Sequence, residues 1–201
     1  MHRALLSVLL VFPAVSRRLG VKCSTCPTPT ALTFWPRGLC SFRTMDKKDL
    51  QGTWTPAPDK PWDSLDKVME VGGAPWFVRW LVGGLSCNLE IIGDGPEMKS
   101  VKVLTKTMMK TRTESYDNTD GTETTVPYGS GEATQSVSFE SGEEGVSLKV
   151  LVEVPHKQSK ISTVRTLLKD GLLREVTTSE KTDGTDKKGE ATRFFVRAPE
   201  T

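Results

Sequence analysis

The sequence predicts an all-β protein: a ten-stranded antiparallel up-and-down β-barrel with a helix–turn–helix between its first two strands. Two observations lead to this fold class. Stretches of alternating apolar and polar residues recur along the chain, separated every 8–15 residues by turn signals such as Asp120-Gly121 and Asp170-Gly171. No helical pattern of 10–15 residues lies between these stretches, which favours antiparallel neighbours joined by short turns. A sheet of that many strands removes its exposed edges by closing into a barrel.

The first strand and the two helices are expected within residues 50–84. Leu50–Trp54 is short and β-inclined, and three prolines follow it. In "PWDSLDKVMEVGG" the apolar residues from Trp62 to Val71 recur at helical spacing, and a pair of glycines ends the pattern. A second helical repeat in "APWFVRWLVGG" is formed by Trp76, Phe77, Trp80 and Leu81. Two short helices joined by about three residues should therefore follow the first strand directly.

The faces of the predicted strands are mixed. Threonine, serine and arginine share strand faces with valine and leucine. In the closing stretch "GEATRFFVRAPET", Arg193, Phe195 and Arg197 share one face because side chains alternate along a strand. A buried arginine needs an anion, a water network or an acidic side chain. Mixed faces indicate a cavity that holds water and one amphiphile rather than a dry core.

Charge and composition exclude several classes of function. Of 27 basic and 25 acidic residues, six basic and no acidic ones lie in residues 1–44, so residues 45–201 carry a net charge of −4. A mildly acidic body disfavours nucleic acid as a partner. The body has a single histidine and no recognisable metal or phosphate motif, so we expect no enzyme, no catalytic residues, no metal and no cofactor. No apolar run reaches the roughly 18 residues of a membrane span.

Residues 1–44 are expected to be a disordered leader or extension, and residues 45–201 the folded domain. Within residues 1–44, an apolar run after a short basic start is typical of a secretory signal. The scattered arginines and the lack of acidic residues in the same segment are typical of a mitochondrial transit peptide. A third interpretation takes Met45 as the working start. The body has one cysteine, Cys87, which suits a reducing compartment. We expect a cytoplasmic protein, mitochondrial if residues 1–44 act as a transit peptide, with secretion less favoured.

An ordered set of features resembles the cytosolic fatty-acid-binding proteins, a family of the lipocalin-like (calycin) superfamily. The set consists of Gly52-Thr53-Trp54, the helix pair within Trp62–Val82, the antiparallel strands and the closing Thr192–Ala198. It covers most of residues 45–201, although several hairpin loops are longer than those of the family. The resemblance implies an intracellular carrier with a long-chain fatty acid or similar apolar carboxylate inside the barrel, and a helical lid that gates its entry.

The resemblance also implies how the ligand is held. In that family an arginine two strands from the end, an arginine on the last strand and a tyrosine two residues later bind the lipid carboxylate. Counting back from the Asp170-Gly171 turn places the first at Arg165, and the second falls on Arg193. Phe195 stands at the tyrosine position and cannot donate a hydrogen bond. The predicted ligand-binding residues are therefore Arg165, Arg193 and Phe195, and the arginines fix the head group.

Several alternatives stay open. Trp76, Phe77 and Trp80 are either core residues or a portal whose exposed aromatics contact membranes or incoming lipid transiently. We expect a monomer that binds a fatty acid or related lipid. A secreted lipocalin-type carrier of another apolar ligand would require residues 1–44 to be a cleaved signal. A barrel that has lost transport and acts as an interaction scaffold is allowed by Phe195 and by the long polar loops at 117–125 and 180–190.

Overall fold

The structure, a computed structural model, describes residues 45–199, so the interpretations of residues 1–44 concern a segment outside the described part. A 3-10 turn at Lys47–Leu50 precedes a first strand, two helices and nine further strands. In chain order the elements are β1 (Gly52–Pro56), α1 (Asp66–Val71), α2 (Trp76–Val82), β2 (Asn88–Gly93), β3 (Val101–Lys106), β4 (Thr111–Tyr116), β5 (Thr124–Tyr128), β6 (Gly131–Ser141), β7 (Gly145–Val154), β8 (Ser159–Leu168), β9 (Leu173–Lys181) and β10 (Lys188–Arg197).

All ten strands form one antiparallel sheet. Its order is β4-β3-β2-β1-β10-β9-β8-β7-β6-β5, so consecutive strands are neighbours and the first strand pairs with the last. The predicted fold class is confirmed in strand number, direction and connectivity. The sheet ends at β4 and β5, which do not pair with each other within residues 45–199, and the barrel wall is open between them. A single bridge between Asp120 and Ser138 lies near this opening.

The helix pair follows β1 as predicted, but its first helix is shorter than the apolar spacing indicates. The expected helical pattern begins at Trp62, whereas α1 begins at Asp66. Trp62 instead forms a β-bridge with Arg193 on β10, and Asp63 N–H donates to the Thr192 carbonyl at 3.1 Å. Pairing with β10 satisfies backbone groups that a first helical turn would leave free, so tertiary contact overrides the helical spacing here.

The core lines the inner face of the sheet, with Trp54 and Phe195 among its largest fully buried side chains. Trp54 Nε1–H donates to the Leu50 carbonyl at 3.0 Å, and the Arg197 guanidinium lies 4.4 Å from the Trp54 ring centre. An aromatic side chain that buries roughly 200 Å² contributes on the order of 5 kcal/mol of transfer free energy. Trp54 therefore stabilises the seam where the first and last strands meet.

The Asp170-Gly171 turn sets the register of the two strands that carry the site. Gly171 has φ +86°, a conformation that glycine adopts without strain. The Asp170 carboxylate accepts a hydrogen bond from Leu172 N–H at 3.1 Å, and Leu167 then pairs with Leu173 across the hairpin. Because side chains opposite each other point to the same face, this turn decides which residues of β8 and β9 meet inside the barrel.

Candidate functional site

Three charged residues on neighbouring strands meet at one level inside the barrel. Arg165 on β8 is the register partner of Glu175 on β9, and Glu175 is in turn the register partner of Arg193 on β10. Their exposed fractions are 5%, 6% and 4%, respectively. We call Arg165, Glu175 and Arg193 the charged ladder. Side chains this polar are rarely buried unless they are paired, so the ladder is the outstanding polar feature of the interior.

Arg165 is held mainly by carboxylates. Its Nε–H donates to Glu175 Oε2 at 2.8 Å, and its Nη2 lies 3.9 Å from Glu114 Oε2 on β4. Burial disfavours the charged guanidinium, but Glu175, followed by Tyr116 and Glu114, raises the pKa of Arg165 above its ordinary value. Arg165 therefore stays charged. Its Nη1 is buried and has no hydrogen-bond partner among residues 45–199.

Glu114 connects the charged ladder to the outer strands. Its Oε2 accepts a hydrogen bond from the Tyr116 hydroxyl at 3.0 Å, and its Oε1 lies 2.9 Å from Arg112 Nη2. Burial, reinforced by the Glu114 carboxylate, raises the pKa of Tyr116, so the phenol keeps its proton and remains a donor. The ionic network therefore extends from β9 through β8 across the barrel to β4.

Arg193 has a different environment from Arg165. Its Nε–H donates to the Asp63 carbonyl at 3.2 Å, and an Nη2–H donates to the Gly83 carbonyl at 3.3 Å. Its Nη1 lies 4.0 Å from Cys87 Sγ, and the guanidinium carbon lies 4.7 Å from the Trp62 ring centre. Within the described residues Arg193 forms no ion pair with a carboxylate. It is a buried cation surrounded by neutral groups.

Phe195 and Cys87 form the apolar side of this environment. Phe195 is fully buried, and its ring meets Trp62 edge to face with centroids 5.3 Å apart. Burial first, and then the Glu175 carboxylate, raises the pKa of the Cys87 thiol, so it packs as a small neutral side chain. Phe195 offers no donor to a ligand, which leaves the polar contacts at this level to the charged ladder.

The aromatic residues of α2 lie outside the core. Trp76, Phe77 and Trp80 are 72%, 56% and 80% exposed, so the interpretation that they are core residues is wrong. α2 has no buried residue, and Arg79 anchors it to α1 through Glu70 at 2.9 Å. The structure does not bring these aromatics together with the charged ladder. They form an apolar surface on the outside of the helix pair.

A separate cavity of about 230 Å³ lies at the opening between β4 and β5. Its lining is mostly polar and includes Ser115, Asp117, Thr124 and Gln135. None of the three ladder residues lines it. Among residues 45–199 no cluster of His, Cys, Asp or Glu could hold a metal ion, and no helix there is long and apolar enough to cross a membrane.

Sequence reasoning placed Arg165 but missed its partner. Glu175 lies five residues after Asp170, and Arg165 lies five residues before it. In a hairpin centred on that turn the two positions face each other, so the count that located Arg165 also locates Glu175. Glu114 and Tyr116 gave no comparable signal, because β4 reaches Arg165 across the barrel rather than along the sheet.

The strand order and the helix pair after β1 define an antiparallel barrel with two helices between its first two strands, the fold of the fatty-acid-binding proteins. No protein-family model matches the chain, and no curated protein sequence matches it. Several solved structures, in contrast, are similar to it. The fatty acid transporter REP1-NXSQ is 19% identical with a TM-score of 0.57, over 77% of this chain and 99% of that one.

Two further structures are similar. A Schistosoma mansoni fatty acid binding protein in complex with arachidonic acid is 20% identical, with a TM-score of 0.54 over 75% of this chain and 97% of that one. Secretory abundant heat soluble protein 4 from Ramazzottius varieornatus is 18% identical, with a TM-score of 0.54 over 78% of this chain and 99% of that one. At these identities the likeness establishes the fold, and a fold by itself hosts more than one function.

Proposed function

We propose that this chain is an intracellular lipid carrier, not an enzyme, that binds one long-chain fatty acid or similar apolar carboxylate inside the barrel. The observation that carries the proposal is Arg193, a buried guanidinium whose protein contacts are two carbonyls, a thiol and a ring. A buried cation without a counter-ion is costly. A lipid carboxylate supplies that counter-ion, while the chain buries its apolar surface against the core.

The distribution of ion pairs around the charged ladder supports one anionic ligand. Arg165 pairs with Glu175 and lies near Glu114, whereas Arg193 forms no ion pair within residues 45–199. Of the two buried arginines, Arg193 is the one without a contacting carboxylate. One carboxylate neutralises it, and an arginine can hold a carboxylate through two parallel hydrogen bonds. In this proposal Arg193 is the main anchor and Arg165 offers only its unpaired Nη1.

The helix pair is the proposed portal. Arg193 donates to Asp63 and Gly83, which flank the helix pair, so the proposed anchor also touches the proposed lid. Trp76, Phe77 and Trp80 present exposed aromatic surface of the kind that partitions into a membrane interface. We propose that a monomer contacts membranes transiently through this surface and takes up lipid there. Similar structures named as a fatty acid transporter and a fatty acid binding protein support the carrier class.

The proposal is tested by displacement of a fluorescent fatty-acid analogue from the full chain with oleate. Arg193→Gln should weaken oleate binding at least tenfold, about 1.4 kcal/mol, because it removes the buried guanidinium that has no contacting carboxylate among residues 45–199. Arg174→Gln is the matched control, since Arg174 pairs with Glu144 on the outside of the same sheet and should leave affinity unchanged. Unchanged oleate affinity in a folded Arg193→Gln protein would refute the anchor. Failure of the wild type to bind any lipid would refute the carrier and favour the interaction scaffold.

A further inference from the structure

We propose that Glu175 determines which head groups this site accepts, and that it extends the ligand class to uncharged long-chain lipids with a hydroxyl head group, such as fatty alcohols. The inference rests on the proposed lipid-binding function and assigns a specificity to the same site. It predicts that an alcohol and an acid of equal chain length bind with similar affinity.

Glu175 is a fixed part of the barrel wall. It lies in register with both arginines of the charged ladder, in a hairpin whose turn is set by Asp170. Its carboxylate receives the Arg165 Nε–H at 2.8 Å, and its side chain is 8% exposed. A charged hydrogen bond in a buried environment is among the stronger ones. A ligand therefore meets a carboxylate that already occupies one arginine.

This arrangement differs from a site with two free arginines. A ligand carboxylate attracted to Arg193 enters the level at which Glu175 already carries a negative charge. The repulsion between the two carboxylates offsets part of the attraction to Arg193, and the low dielectric of the interior strengthens both effects. Glu175 thereby lowers the advantage that a charged head group has over a neutral one.

A hydroxyl group matches the remaining hydrogen-bonding capacity. Arg165 Nη1 is a buried donor without a hydrogen-bond partner in the described part of the chain, and the carboxylate of Glu175 is an acceptor with more than one lone pair. A ligand hydroxyl can accept a hydrogen bond from Arg165 Nη1 and donate one to the Glu175 carboxylate, whereas an ionised ligand carboxylate can only accept. The pair of Arg165 and Glu175 thus offers a neutral head group two complementary contacts.

The experiment measures two dissociation constants on the full chain, for oleic acid and for oleyl alcohol, by displacement of the same fluorescent analogue. In the wild type we expect the two constants to differ by less than fivefold. Glu175→Gln keeps the shape but removes the charge, and should shift the ratio by at least fivefold in favour of the acid. Glu180→Gln, an exposed position on the same strand, is the matched control and should leave the ratio unchanged.

The possible results separate this inference from the proposed function. A wild type that binds the acid at least fivefold more tightly than the alcohol overturns the inference but leaves the carrier intact. A Glu175→Gln protein with an unchanged ratio also overturns it. If Glu175→Gln does not fold, the wild-type ratio alone decides. Absence of binding by both lipids refutes the proposed function itself.

Discussion

Arg165 and Arg193 are two arginines with nearly equal burial, 5% and 4% exposed, and with opposite environments. Arg165 lies between the carboxylates of Glu175 and Glu114, whereas Arg193 contacts only neutral groups near the lid. The difference shows that burial does not tell whether a charge is available to a ligand. Arg165 is largely committed to the structure of the barrel. Arg193 keeps an unbalanced charge, and it is the one that we assign to binding.

The largest expected effect comes from breaking the Arg165 pair. Arg165→Ala leaves the Glu175 carboxylate buried without a counter-ion, and it should destabilise the protein by about 3–5 kcal/mol. Arg193→Ala removes a donor from the Asp63 and Gly83 carbonyls but exposes no unpaired charge, and the Gly83 carbonyl keeps the Leu65 N–H at 2.9 Å, so it should cost about 1–3 kcal/mol. Urea unfolding of the two variants checks this order.

Loss of ligand affinity should follow the reverse of this order of stability loss. Oleate binding should weaken more in the Arg193 variant than in the Arg165 variant. The double variant Arg165→Ala/Glu175→Ala is the control for stability, because removing both charges should recover part of the loss. Equal losses of stability in the two single variants would contradict the distinction between a structural and a ligand-binding arginine.

A smaller effect is expected from introducing a phenol beside Arg193. Phe195→Tyr adds a hydroxyl at a fully buried position, so the ligand-free protein should lose about 1 kcal/mol of stability. The same hydroxyl can donate to a bound carboxylate, so oleate should bind about three- to tenfold more tightly. Phe194→Tyr is the matched control, since Phe194 lies on the opposite face of β10. Weaker oleate binding in Phe195→Tyr would place the head group away from Arg193.

The smallest effect on stability is expected at the lid. Trp80 is 80% exposed, so Trp80→Ala should change the free energy of unfolding by less than about 0.5 kcal/mol. Transfer of a fluorescent fatty-acid analogue from phosphatidylcholine vesicles should nevertheless slow severalfold if this surface docks on membranes. Ile92→Ala is a suitable control, because Ile92 is a 43% exposed apolar residue near the end of β2 that lies away from α2. An unchanged transfer rate would rule out a docking role for Trp80.

The fold could be predicted from local signals, and the site only in part. Alternating strands and glycine-containing turns act over a few residues, so strand number and order follow from them. The predicted start of α1 was wrong because Trp62 pairs with Arg193, which lies 131 positions further along the chain. The exposure of Trp76 and Trp80 was not settled either, since an apolar repeat indicates a face but not whether anything covers it.

The sequence by itself determined the antiparallel barrel and the helix pair, because side-chain alternation and turn geometry are local properties. The inward placement of Arg165 and Arg193 was implied by the resemblance to the fatty-acid-binding proteins. The tertiary structure alone decided which arginine is neutralised. Glu114 reaches Arg165 from a strand that lies far from β8 in the sheet order, and Asp63 and Gly83 reach Arg193 from the ends of the helix pair. Electrostatic pairing depends on distances across the interior of the barrel, and those distances exist only once the sheet has curled.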